Sequence, residues 1–291
     1  MIVDSRKKII MKLPYQIDLT GKVAIVTGGS GTLCSAMAWG LAQSGAKVSL
    51  IGRNAEKMDK VVSSMRDEGL EVRGYCCDVT DKAGLVMTYQ NIKTELGACD
   101  ILINGAGGNQ PQAITAIEQL DQEISDNDDS FWNLDEGAIR NVMDINYLGT
   151  LLPIQVFTKD MKENGTGSII NIASVAGVLP LTKVMAYGNA KSAIVSLTQW
   201  IAVHMGQSGI RCNAIAPGFY AAEQNHDLLY NKDGSLTERA GKIIAATPMG
   251  RFGNPQDLIG AALFLASEEA SGFINGIVLP VDGGFLANSG V

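Results

Sequence analysis

The chain has 291 residues, 46% hydrophobic and 18% charged, with a formal net charge of −7 and a pI near 4.9. This balance suits a globular chain with a large core and argues against nucleic acid as a partner, since no basic stripe would neutralise phosphates. Five scattered cysteines without a CxxC, two histidines, no secretory core and no apolar run of about 20 residues together predict a cytoplasmic protein with reduced thiols, no metal and no membrane span.

Residues 1–18 read as a tail ahead of one domain over 19–291. The stretch LTGKVAIVTGGSGTLCSAMAWGLAQSGAKVSLIGRN predicts a buried strand (23–27), a glycine-rich turn, a helix over about 33–44 stopped by Gly45, and a second strand (48–51). Strand, glycine turn and helix N-terminus make an anion cradle, and Gly28, Gly29, Ser30, Gly31, Thr32 and Leu33 are its candidate contacts with a dinucleotide. The second strand ends in Gly52-Arg53-Asn54, with no carboxylate before Glu56. An acid there would bind the ribose 2′-OH of NAD, whereas Arg53 suits the 2′-phosphate of NADP, so NADP(H) is slightly favoured over NAD(H). Arg53 reads equally as a solvated loop charge.

A charged amphipathic helix (54–68) and a third strand (71–75) follow. CDVTD then places Asp78 and Val79 where an adenine ring would lie, although Asp78 reads as well as a turn or cap residue. A fourth strand (100–103) closes in NGAGGN, where Asn104, Gly105 and Ala106 allow a ligand close to the backbone. Residues 109–135 break the alternation. Eight carboxylates lie from Glu118 to Glu136 with no Lys or Arg among them, which reads as a solvated surface insertion. The spacing lacks the sixth-position Gly and twelfth-position Glu of a Ca²⁺ loop. A helix over about 136–161 is interrupted near Asn146–Gly149 and at Pro153, and an Asn in so apolar a helix predicts a local distortion with something hydrogen-bonded to it.

The stretch 168–195 organises the rest. A strand (169–173) ends in Ser174, and a helix begins near Met185 with Tyr187 and Lys191 four apart on one face. An ammonium close to a phenol lowers the phenol's pKa from about 10 by one to three units, which makes it a proton donor and acceptor near neutrality. Ser174 would donate a hydrogen bond to a substrate oxygen gaining negative charge. Each of these residues alone is more commonly packing than catalysis. A sixth strand (210–215) ends at Pro217-Gly218, and the polar, breaker-rich segment 219–254 suits a lid over a site. A helix (255–267) and a last strand (277–281) complete seven β runs alternating with helices. The fold predicted is α/β: a Rossmann-like, doubly wound domain whose seven-stranded parallel sheet carries helices on both faces.

TGGSGTLC, NGAG, the Asn146 region, Ser174, YGNAK and Pro217-Gly218 stand in the order and spacing of the short-chain dehydrogenases/reductases, and the sequence resembles that family from about Leu19 to Phe285. The resemblance implies a tetrad of Asn146, Ser174, Tyr187 and Lys191. Tyr would move the proton, Ser steady the carbonyl, Lys bind the nicotinamide ribose and lower the Tyr pKa, and Asn hold a water. It also implies cofactor contacts at Tyr187, Lys191, Pro217 and Gly218, and a homo-tetramer built through the helix of Tyr187 and the C-terminal strand and helix. The family's TGxxxGxG pattern is broken here, because Thr32 and Cys34 stand at its second and third glycines, so Gly28, Gly29 and Gly31 must supply the unusual dihedrals.

GGNQP (107–111), the acidic insertion, PGFYAAEQNHDLL (217–229) and TPMGRFGNP (247–255) carry a narrower resemblance, to the D-mannonate oxidoreductases (fructuronate reductases) of the short-chain type. Asn109, Ser174, Asn189, Gln224, Asn225 and His226 are the candidate contacts for a hydroxylated acid, while Arg251 reads as a brace for the lid. The function expected is reversible hydride transfer between NAD(P)(H) and a keto/hydroxy group of a sugar acid, D-fructuronate/D-mannonate first. The alternatives are a reductase of 5-ketogluconate or a 3-oxoacyl substrate and, from another class, a non-catalytic dinucleotide-binding regulator.

Overall fold

The computed structural model describes residues 17–120, 130–221 and 229–290. Most of the expected tail lies outside the described residues, as do Asp121, Glu123, Asp126, Asp128 and Asp129 of the insertion and Gln224, Asn225 and His226.

Strands β1 (Val23–Thr27), β2 (Lys47–Gly52), β3 (Val72–Cys76), β4 (Ile101–Asn104), β5 (Gly167–Ile172), β6 (Ile210–Pro217) and β7 (Val278–Val281) form one parallel sheet in the order β3-β2-β1-β4-β5-β6-β7. The central strands are near-continuous apolar runs because both faces are covered. Period-two alternation divides them: Ala24, Val26, Ile101, Ile103, Ile170 and Ile172 pack on one side, with α1 (Thr32–Gln43), α2 (Ala55–Asp67) and α9 (Ile259–Ala266). Val23, Ile25, Leu102 and Ile169 pack on the other, with α3 (Lys82–Glu95), α5 (Gly149–Phe157) and the distal half of α7 (Met185–Met205). Phe157, fully buried in this second core, is the kind of residue whose truncation to Ala costs about 3–5 kcal/mol.

The sheet order reverses between β1 and β4, which opens a crevice above their carboxyl ends, Thr27 and Asn104. Every expected strand is present within two residues at either end. The helix expected over 136–161 is three pieces: α4 (Glu136–Met143), a π turn (Asp144–Leu148) and α5, followed by the short α6 (Lys159–Asn164). Pro153 does not interrupt it; Pro153 sits inside α5, and the break falls at Thr158, whose hydroxyl donates to the Ile154 carbonyl at 2.6 Å. Residues 229–254 are more regular than their composition suggests: they contain α8 (Glu238–Ala246), and Leu229, Ala240 and Ile243 form a small core with Phe219 and Phe252.

Candidate active site

A groove of ≈ 680 Å³ runs along the crevice from Arg53, Asn54 and Lys57 past the glycine turn to Ser174, Tyr187 and Lys191. At its middle, α1 starts from Gly31 with no side-chain cap and no acid in its first turn, so its N-terminal end keeps its positive dipole for an anion. Thr32, Leu33 and Cys34 line the groove there, with Gly28, Ser30 and Gly31. Of the three turn glycines only Gly28 has a left-handed backbone (φ +66), and a Cβ on it would lie 2.8 Å from the Ala106 nitrogen. This corrects the expectation for Gly29 and Gly31. Gly31 has φ −77, and Gly29 is small because a Cβ would meet Leu50 at 2.8 Å. The turn therefore accepts Thr32 and Cys34 because α1 begins there with ordinary helical backbone. An uncapped helix end, a side-chain-free floor and two cations at one end fit a nicotinamide dinucleotide.

At the far end, β5 and α7 bring the chemistry together. Ser174 stands two residues beyond the end of β5 and accepts the Ala176 N–H at 3.1 Å. Its hydroxyl is close enough to the Tyr187 phenol to favour the ionised form, but burial wins and holds the phenol's pKa above its ordinary value. Lys191 is 4% exposed, its Nζ is 5.6 Å from the Tyr187 ring centroid, and it donates to the Ile172 carbonyl at 2.8 Å. Desolvation pulls its pKa down to about 8. The expected lowering of the phenol by the ammonium is not found in the free protein. Burial acts on both groups, in opposite directions on pKa and in each case toward the neutral form.

Asn146 is fully buried in the π turn, where its Nδ2 donates to Val142 O at 2.8 Å and Gly108 O at 2.7 Å, while its Oδ1 accepts from the Gly108 N–H at 3.3 Å. The distortion expected around this residue is thus a widened turn that aims an amide at the 107–108 backbone. A Cβ on Gly107 would collide with Asn146 Oδ1 and lie 3.4 Å from Lys191 Nζ, so glycine is needed where the groove floor passes between them.

The structure sorts the remaining candidates. Gly105, Ala106, Val79, Pro217, Gly218 and Arg53 all line the groove. Asn104 does not: it is 1% exposed and its Nδ2 donates to Asn171 Oδ1 at 2.9 Å, tying β4 to β5 beneath the floor. Asp78 stands just outside, accepting from the Thr80 N–H and hydroxyl and facing Arg53 at 3.7 Å, which fits the turn reading. Asn109 is exposed and accepts from the Gln110 N–H. Asn189 is also exposed and away from the groove, because two residues along a helix rotate it about 200° from Tyr187. Arg251 braces the segment as expected, donating to Asp257 at 2.8 Å and to the Phe252 carbonyl at 3.0 Å. Lys57 and Cys34 were missed. Lys57 could have been found as the next cation in the first turn after Arg53; Cys34 read only as a departure from a pattern. Among the described residues all five cysteines are free, and no group of His, Cys, Asp and Glu could hold a metal.

The sequence profile of the short chain dehydrogenases matches residues 22–232. The uncharacterized oxidoreductase UxuB of Bacillus subtilis is 47% identical, over 96% of this chain and 100% of its own. A crystal structure from Haemophilus influenza with bound NAD, provisionally described as a D-mannonate oxidoreductase, superposes with a TM-score of 0.90 at 47% identity, covering 94% of this chain and 98% of that one. A gluconate 5-dehydrogenase from Burkholderia cenocepacia, in complex with NADP and tartrate, superposes with a TM-score of 0.80 at 30% identity and the same two coverages.

Proposed function

As the chain belongs to the short-chain dehydrogenase family, NAD(P)-dependent oxidoreductases acting on CH–OH groups, we propose that it transfers a hydride reversibly between NAD(P)(H) and a keto/hydroxy group of a sugar acid, with D-fructuronate/D-mannonate as the pair. The observation that carries this reading is the meeting of the Ser174 and Tyr187 hydroxyls at the end of the groove, above a buried Lys191.

In the reducing direction Tyr187 donates its proton to the substrate oxygen, for which a neutral, part-buried phenol is the correct starting form. Ser174 donates a hydrogen bond to the same oxygen as charge grows there, its single proton turning to that oxygen from the phenol. Lys191 stays protonated below pH of about 8 and holds positive charge beneath the ring. Asn146 has both Nδ2 protons and one Oδ1 lone pair engaged, which leaves one lone pair for a water. When bound, the nicotinamide supplies the hydride donor or acceptor.

Arg53 and Lys57 support NADP(H) at the other end of the groove, and the pairing of Arg53 with Asp78 keeps that preference small. No helix among the described residues is long and apolar enough to cross a membrane. We take the protein to be cytoplasmic and homo-tetrameric, an assembly supported by Trp200 and Val203 exposed on α7. The test is nicotinamide absorbance with D-fructuronate and 5-ketogluconate, each with NADPH and NADH. Turnover of D-fructuronate is expected, and silence on every keto sugar acid would reject the substrate class. Preference for 5-ketogluconate is the second reading, favoured by the likeness to a gluconate 5-dehydrogenase.

A further inference from the structure

We propose that Lys183 and Arg239 form the site that receives the substrate's carboxylate, in a pocket whose lining follows on in sequence from that of the groove. The inference rests on the sugar-acid reading above and names the residues that make an acid the preferred substrate.

The pocket, ≈ 250 Å³, is lined by Glu118, Thr182, Lys183, Phe219, Arg239 and Lys242 among others. It adjoins the groove along the sequence. Pro217 and Gly218 line the groove and the next residue, Phe219, lines the pocket; Lys183 is four residues ahead of Tyr187 on the loop between Ser174 and α7. Its lining holds three cations and one carboxylate, although the protein as a whole carries a net charge of −7. Lys242 is neutralised, its Nζ lying 3.2 Å from both Glu118 and Glu238. Among the described residues Lys183 and Arg239 have no ion pair, so the described lining carries two positive charges without a carboxylate partner. Phe219 and Phe285 close one side edge to face, with ring centroids 5.1 Å apart. Such a wall lowers the local dielectric and strengthens a charge-assisted hydrogen bond.

The backbone gives an independent sign. Among the described residues Lys183 is the one non-glycine residue with a left-handed φ, +69. A lysine there is strained, and such outliers persist only where surrounding structure holds them. The holding contact is the Thr115 N–H donating to the Lys183 carbonyl at 3.1 Å. Thr115 to Glu118 of the insertion therefore tie the Lys183 loop at one end and α8, through Lys242, at the other.

The experiment compares wild type with Lys183→Asn, Arg239→Gln and the double variant, Asn being chosen because it tolerates left-handed backbone. Steady-state rates are measured on D-fructuronate, on 5-ketogluconate and on an uncharged ketose, D-fructose, and the binding of D-mannonate and D-gluconate to the protein–NADP⁺ complex is followed by titration calorimetry. Each single variant is expected to raise KM for the acid by about tenfold with kcat held within about twofold, the loss of one charge-assisted contact. Rates on the ketose and the affinity for NADP⁺ stay unchanged. Equal effects on acid and ketose, or none on either, overturn the site while leaving the reaction class standing. If wild type turns over no sugar acid, the substrate reading fails and the calorimetry decides the site. Binding of either acid lost in the double variant supports it; binding of neither acid to wild type, or equal binding to both proteins, overturns it.

Discussion

The floor of the groove and its outer flank are built on different terms. On the floor Asn146, Lys191 and Ser174 are 0%, 4% and 8% exposed, and each has a backbone partner within 3.3 Å. They sit on a π turn, a long helix and a strand end that two large cores hold in place. On the flank, exposed Arg239 and part-buried Lys183 stand on a short helix and a loop, and α8 is secured mainly by the small core of Leu229, Ala240 and Ile243. The difference separates two tasks. On the function proposed above, proton transfer needs fixed, dry groups, whereas selection among hydroxylated acids needs side chains that reach into water and can be exchanged without disturbing the sheet.

Tyr187→Phe gives the sharpest break. It is expected to cut kcat by about 10³-fold or more, with cofactor affinity within about twofold; substantial residual turnover would dismiss Tyr187 as the proton donor. Lys191→Met comes next, with about 10²-fold loss of turnover and an opposite effect on stability. Folding lowers the Lys191 pKa from 10.5 to about 8, so the buried ammonium weakens the folded state at neutral pH. That weakening fades as pH rises from about 8 toward 10.5, because the unfolded polypeptide then binds the extra proton. The shift is worth at most roughly 3 kcal/mol, offset by about 1 kcal/mol for the lost bond to Ile172. A higher melting temperature at pH 7 is therefore expected, with the gain over wild type shrinking by pH 10; a variant less stable at pH 7 would place the hydrogen bond above the desolvation cost.

Arg53→Ala is expected to weaken NADP(H) about tenfold and leave NAD(H) within about twofold, as read from KM for each cofactor. An equal effect on both would remove the 2′-phosphate role. Smallest of all, Asn189→Ala should change KM for any sugar acid by no more than about twofold, as its place about 200° around α7 from Tyr187 dictates. A larger change would draw the boundary between floor and flank differently.

Legibility in the sequence followed the same division. The strands and the positions of Ser174, Tyr187 and Lys191 could be read because period-two apolar runs and an i, i+4 pair are local signals. The π turn at Asn146 was legible as a polar interruption in an apolar helix. The burial of Asn104 was not, because its partner, Asn171, is 67 residues away in sequence. The sense of the Tyr187 shift was not either, since a pKa depends on how much water the final packing removes. Lys183 and Arg239 carried no motif, and only the folded protein shows that Lys242 has acid partners while these two have none among the described residues.

Cys34 also has a practical consequence. Its sulfur fills the space over Gly105, so that a methyl group there would strike it, and burial pushes its thiol pKa up to about 12. Returning this position to glycine would hollow out the seam where α1 meets the end of β4 instead of relaxing the turn. An alkylating reagent that enters the groove meets, at Cys34, a sulfur with almost no thiolate at physiological pH, so this position should be slow to react.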